Sequence, residues 1–285
     1  LPLGLPVLAA LPRQTDLDLP SRHLGLVQAG DTPQLAVKLE ALATWVEQAG
    51  CTDALLSLSH SPAQAATSPG SPTGPPTGSP TGTLQRLAPL GQHIAIAQDS
   101  AFSFIYPHLL DDWRAVGIHI SFVSPLANAP LPSGVDALYL PGGSPELHAS
   151  ALSQAARFWA SAHQLAAQGG WIYGECGGYM ALGQRLVDAE GQAWPMAGLL
   201  DIATRFDAPQ RHLGYRAMQL AAATPFGPAG AAFRGHEFHY SCHDGEAEAQ
   251  ALWFASDARG QDLGSAGQIK GRVFGSYLHL VDSRP

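Results

Sequence analysis

The stretch WIYGECGGYMALG, residues 171–183, decides the fold. Its apolar head with the preceding glycine, GWIYGE (170–175), reads as a strand, and GGYMALGQRL, residues 177–186, reads as a helix. Between the two, Gly-Glu-Cys-Gly-Gly has the form of a strand-to-helix elbow in which glycines remove the steric conflict and Cys176 is presented as a nucleophile. At a helix N-terminus, backbone N–H groups and the macrodipole favour a thiolate, and the N–H of Gly177 can face an oxyanion. A lone cysteine is more often a small buried core residue. The glycine frame reverses that expectation here.

Outward from the elbow, the spacing predicts strands in HIAIAQD (93–99), IHISFVSP (118–125) and DALYLPGG (136–143), and helices over Phe104–Val116 and Ser153–Gln168. Short apolar strands alternating with helices indicate an α/β fold with a mostly parallel sheet and helices on both faces. Function in such sheets sits at the carboxyl ends of the strands. Beyond Gly191 the pattern shifts to HLGYRAMQL, ALWFAS and GRVFGSYLHL, expected as partly antiparallel strands that extend or flank the same sheet.

Ahead of this region, residues 61–83 are almost wholly Ser, Pro, Thr, Gly and Ala, too poor in apolar surface to offset the entropy of ordering. They read as a linker, which divides the chain into residues 1–60, a linker over 61–90, and a domain over 91–285. The first part predicts a short buried strand in GLPVLAALPR (4–13) and a helix from Pro33 to Gly50. That is a partial α/β unit, and its first residues read like the middle of a domain.

Composition excludes several classes. The formal charge is −8 and the 15 basic residues are scattered, which argues against a nucleic-acid or anionic-membrane partner. No apolar run approaches a membrane span. Cys51, Cys176 and Cys242 are an odd, widely spaced set, which suits a reducing, cytoplasmic setting. Lys38 and Lys270 are the only lysines, and neither lies in a G-x-x-x-x-G-K-[ST] phosphate loop.

A thiolate nucleophile needs a base, which can be distant in sequence. Of twelve histidines, His279 in GSYLHL is the foremost candidate, since it sits on an apolar, strand-like run. The cluster RGHEFHYSCHD (234–244) competes. His236, His239 and His243 can be read as metal ligands, but without paired cysteines or H-E-x-x-H the expectation is no metal and a polar loop facing a ligand or a neighbouring domain. In LYLPGGSPE, Gly142 or Gly143 is placed to supply a second oxyanion donor.

GECGGYMALG with a distant GSYLHL resembles the class I (triad) glutamine amidotransferases. More narrowly, LPRQTDLDLPSRHLGLV, IAIAQDSAFSFIYPHLLDDWRAVG, SPLANAPLP, LPGGSPE, LGYR and RGHEFHYS, in that order, resemble the family of cobyrinic or hydrogenobyrinic acid a,c-diamide synthases. The resemblance implies a flavodoxin-like glutaminase domain preceded by the tail of an ATP-binding domain. It implies Cys176 as the nucleophile toward glutamine, His279 as its base, and Gly177, Gly142 and Gly143 around the oxyanion. Arg22, His23, His236, Glu237, His239 and Tyr240 are candidates for substrate or domain-interface contacts. Glutamine and, through the ATP-binding domain, a corrinoid are the implied partners, with a homodimer left open. ATP and Mg2+ belong to that other domain, and no cofactor is expected in the glutaminase domain. Other readings are a glutaminase of cobyric acid synthesis or cell-wall amidation, and a catalytically silent binding module of the same fold. Most class I glutaminases carry a glutamate two residues after the histidine. Here Leu280 and Val281 follow His279, leaving its orienting partner unassigned, with Asp282 and Glu237 as guesses.

Overall fold

A computed structural model describes residues 7–17, 27, 29–59, 87–244 and 249–284. Arg22, His23 and nearly all of the 61–90 segment lie outside the described residues. The chain divides into two compact units, residues 1–83 and 84–285.

In the first unit, α1 (Leu35–Gln48) and α2 (Cys51–Leu58) are separated at Gly50, whose φ of +69° only glycine adopts without strain. The strand expected over residues 4–13 is not formed over its described part, 7–13. A strand needs a ladder partner for its N–H and C=O groups, and the described residues of this unit offer no second strand.

The second unit is built on a ten-stranded sheet. Its parallel half comprises β1 (His93–Ala97), β2 (His119–Val123), β3 (Ala137–Leu140) and β4 (Trp171–Glu175). A separate four-stranded sheet contains β5 (Arg185–Val187), β6 (Ala193–Pro195), β7 (Ala203–Arg205) and β10 (Cys242–Asp244). The antiparallel half of the large sheet comprises β8 (His212–Leu220), β9 (Ala232–His239), β11 (Gln250–Asp257), β12 (Asp262–Lys270), β13 (Val273–Ser276) and β14 (Leu278–Arg284). The spatial order is β2-β1-β3-β4-β13-β12-β11-β8-β9-β14. Pairing is parallel from β2 to β13 and antiparallel beyond.

Period-two alternation sends each parallel strand into two cores. Ala95, Leu138, Leu140 and Ile172 pack with α5 (Ala156–Ala167) and α6 (Gly177–Leu182) on one side. Ile94, Ile96, Tyr139 and Tyr173 pack with α3 (Pro107–Ala115) on the other. Burial on both faces is what a parallel sheet requires. The second core also takes in Met218, Phe233, Trp253, Leu278 and Leu280 from the antiparallel half. β13 runs through Tyr277 into β14, which lies at the opposite edge of the sheet. The sheet therefore curls until that edge returns to β4, where the N–H of Leu280 donates to Glu175 Oε2 over 2.9 Å.

Three expected boundaries move. The helix placed over Phe104–Val116 starts at Pro107, whose missing N–H costs nothing in a first turn. The helix placed over Ser153–Gln168 is instead a short helix, α4 (Ala149–Ser153), followed by α5 from Ala156. The helix placed over residues 177–186 ends at Leu182, because residues from Arg185 onward pair in the small sheet.

Candidate active site

Cys176 is the junction residue between β4 and α6, at φ +49° and ψ −107°. A non-glycine residue in this region stores roughly 1–3 kcal/mol of backbone strain, and such strain clusters at functional sites. Neighbouring contacts hold it there: its N–H donates to Ser276 O over 2.8 Å, and its carbonyl accepts from Met180 over 3.1 Å. The glycine at 178 is obligatory, since a Cβ there would lie within 2.7 Å of Leu140 and collide with its carbonyl. α6 is only six residues long, so local N–H groups matter more here than a macrodipole.

His279 reaches the elbow from β14. Ser276 Oγ accepts from the N–H of Leu278 and from Trp253 Nε1, each at 3.1 Å, which fixes the corner between β13 and β14. The buried imidazole that follows is in hydrogen-bond contact with Cys176. Its Nδ1 stands 3.2 Å from Glu175 Oε1. The carboxylate lies off the N–H axis, so this contact is a charge attraction rather than an aligned hydrogen bond. Burial alone lowers the His279 pKa, but the charges of Cys176 and Glu175 and the hydrogen bond to Cys176 outweigh it and raise the pKa to about 10. At neutral pH the His279 imidazole is therefore favoured in its protonated form.

Gly142 lies against the same imidazole: a Cβ on it would stand 2.6 Å from His279 Cε1. A Cβ on Gly177 would lie 3.0 Å from the Gly143 nitrogen, so the backbones of the two glycines pack closely against each other. Cys176, His279, Gly177, Gly142 and Gly143 thus come together at the carboxyl ends of β3 and β4, as expected for a parallel sheet.

The segment expected as a polar loop is instead mostly strand, β9, and β10 beyond it. A strand sends i and i+3 residues to opposite faces. His236 stacks on His279, with ring centroids 4.5 Å apart. His239 stacks on Tyr277 at 4.2 Å and on His212 at 4.6 Å. His236, His239 and His243 therefore do not converge on one ion. His212, Glu237 and His239 have ligand atoms within 4.8 Å of one another. The two rings, however, are 10° from parallel, so their lone pairs run side by side. Glu237 is already taken by Arg216, through two bonds of 2.9 and 2.7 Å, and by His239 at 2.9 Å.

Neither guessed acid orients His279. Glu237 makes the contacts just described, and Asp282 is exposed, opposite Arg234 in the β14–β9 register. The carboxyl group beside His279 is that of Glu175, with 1% of its surface exposed. Tyr139 donates to its Oε1 at 3.3 Å, and Tyr173 to its Oε2 at 3.1 Å. Burial first, then the charge of Glu175, keeps both tyrosines well above their ordinary pKa, so they remain donors. Tyr106 was also missed by sequence reasoning; its hydroxyl lies 2.6 Å from His236 Nε2. The available signal was a carboxylate inside a strand otherwise buried on both faces. Tyr240 is half-buried beside Phe238, whose carbonyl is 3.8 Å from Cys176 Sγ.

A strained cysteine, a charged imidazole and two neighbouring backbone amides form an arrangement able to attack a carboxamide and protonate its leaving nitrogen. Comparison with known proteins agrees with this chemistry. A family model described as a CobB/CobQ-like glutamine amidotransferase domain matches residues 93–285. A protein named hydrogenobyrinate a,c-diamide synthase from Brucella anthropi is 46% identical over 281 residues, 99% of this chain and 61% of that protein. Proteins of the same name from a Sinorhizobium species and from Rhodobacter capsulatus are each 46% identical, covering 98% of this chain and 60% of theirs. The chain spans about three-fifths of the length of these relatives.

Proposed function

The chain belongs to the CobB/CobQ-like glutamine amidotransferase family, and from that premise we propose that it hydrolyses glutamine at Cys176 to supply ammonia for amide formation. The observation that carries this reading is the strained elbow at Cys176 in contact with the charged imidazole of His279. The thiolate adds to the glutamine carboxamide carbon, and the oxyanion is held by the N–H groups of Gly177 and Gly143. His279 gives its proton to the departing nitrogen, releasing ammonia and leaving a glutamyl thioester. The neutral imidazole then takes a proton from water as the water attacks, and collapse expels the thiolate and glutamate.

The acceptor we assign is hydrogenobyrinate, the substrate in the relatives' names, with the a- and c-acetate carboxylates becoming amides. This narrows the earlier choice between cobyrinate and hydrogenobyrinate. A carboxylate needs activation before ammonia can displace its oxygen. Neither Lys38 nor Lys270 lies in a phosphate-loop motif, and Lys270 is paired with Asp201 at 2.8 Å. ATP and Mg2+ are therefore assigned to the portion of the relatives beyond the matched span. The boundaries 1–60, 61–90 and 91–285 stand as the proposed domain organisation, and a reducing, cytoplasmic setting suits a site that needs its thiol free. Among the described residues, no helix is long and apolar enough to cross a membrane.

The test is mass-spectrometric mapping after exposure to a glutamine-mimicking diazoketone. Modification at Cys176 that excess glutamine prevents is the expected result. Modification elsewhere, or modification of Cys176 that glutamine does not affect, would overturn the reading.

A further inference from the structure

His279 is followed by Leu280 and Val281, so its own strand offers no acid two residues on. The nearest carboxylate comes from the other side of the curl. We propose that Glu175, the residue immediately before the nucleophile, is the positioning residue of this site, holding His279 by its Nδ1 side and presenting Nε2 to Cys176. One residue pair, Glu175-Cys176, would then supply both the acid and the nucleophile of the triad, and β14 only the base. The consequence for turnover rests on the glutaminase reading above; the geometry does not.

Four contacts converge on this carboxylate, and each has a distinct effect. Tyr139 and Tyr173 donate to separate oxygens, which gives a nearly fully buried carboxyl group hydrogen-bond partners without a lysine or arginine. The N–H of Leu280 donates to Oε2 over 2.9 Å and locks the start of β14 to the end of β4. His279 Nδ1, at 3.2 Å from Oε1, is a buried side-chain nitrogen with no aligned partner, the state in which catalytic hydrogen bonds are often found before substrate tightens them. A proton on Nδ1 is attracted to Oε1, and that choice of tautomer leaves Nε2 to exchange protons with the sulfur and the leaving nitrogen. Glu175 itself neither gains nor loses a proton in this scheme. The same assignment removes the main support for a silent module, since the missing acid is present in another place.

The groups facing His279 are Glu175 and Cys176 from the elbow, His236 from β9, and, around the carboxylate, Tyr106, Tyr139 and Tyr173. Among them Glu175 is the only carboxylate. Glu175→Gln keeps the size of the side chain and removes that carboxylate. The measurement is the rate of Cys176 alkylation by iodoacetamide across pH in the full 285-residue chain. The expected result is a fall at neutral pH of about tenfold or more, with the limb that reports loss of the imidazolium proton moving down by about one pH unit or more. A folded variant whose pH profile superimposes on the wild type would overturn the proposal. Alkylation does not require glutamine, so this result is separable from failure of the glutaminase reading. If Glu175→Gln does not fold, the wild-type chain decides. The 15N signals of His279, identified by their loss in His279→Gln, should show Nδ1 protonated from about pH 6 to 9, and a neutral ring protonated only at Nε2 would overturn the proposal.

Discussion

The rings of His236 and His279 stack face to face, 4.5 Å between centroids and 7° from parallel. They can do so because only one of them carries charge. Burial, then the charge of His279, lowers the His236 pKa, whereas Cys176 and Glu175 hold the His279 pKa up. The Tyr106 hydroxyl at 2.6 Å from His236 Nε2 fixes the outer ring of the stack. His236→Leu removes the stack and leaves every group that touches the sulfur. Glutamine hydrolysis should fall by about tenfold, an effect of misplacement rather than lost chemistry. His236→Phe, which keeps a flat ring, should recover most of it. Steady-state kinetics on the two variants check this, and equal losses would show that the imidazole itself is required.

Cys176→Ala separates ammonia production from ammonia use. In the complete enzyme, glutamine-dependent amidation should fall by a factor on the order of 10⁴ or more, as when a nucleophile is deleted from a comparable triad. Synthesis driven by added ammonium should persist, and His279→Ala should behave in the same way. Loss of both activities in a folded variant would break the division of labour proposed here.

The parallel half of the fold was legible because each of its strands is a short apolar run bounded by Gly or Pro, and the elbow because glycine is demanded wherever α6 touches β3. The third group of the site was not. Glu175 meets His279 only after the antiparallel half curls round to set β14 beside β4, a register that no local pattern encodes. Even so, Tyr173 and Glu175 are two apart on one strand and share a face, so a buried carboxylate with a tyrosine beside it was visible in WIYGEC. RGHEFHYS was misread as a loop because polar side chains mask strand alternation when neither face is wholly apolar. Its His236 and His239 serve opposite faces of β9, which also explains why their i, i+3 spacing does not bring the two rings onto one point.

Gly178→Ala tests how tightly α6 is seated. A Cβ would meet the Leu140 carbonyl and lie 2.7 Å from the Leu140 side chain. Backbone cannot give way cheaply, so the variant should lose roughly 1–3 kcal/mol. For a unit of this size that corresponds to a fall in Tm of several degrees, on the order of 2–10 °C. Thermal unfolding followed by circular dichroism reads it out, and an unchanged Tm would mean that the helix can shift away from β3.

Glu237 gives the clearest pH dependence of stability. Burial raises its pKa, but hydrogen bonds from His239 and Arg216 prevail and push it down to about 2 from 4.5. A carboxylate whose folded pKa is depressed stabilises the fold fully above its unfolded pKa, and that contribution is lost as pH falls through the folded value. The window is therefore about pH 4.5 down to about 2. The contribution at neutral pH is on the order of 3 kcal/mol. Glu237→Gln should be less stable than the wild type at pH 7 and should flatten the acid limb of a urea-midpoint against pH curve, with the two proteins converging toward pH 2. His279 has the opposite sign: its raised pKa gives a contribution present below about 6.5 and lost as pH climbs through about 10. The alkaline limb should therefore be the same in Glu237→Gln and in the wild type. If both limbs moved together, the Arg216–Glu237–His239 cluster would be coupled to the nucleophile through β9, and the two faces of that strand could not be treated as independent.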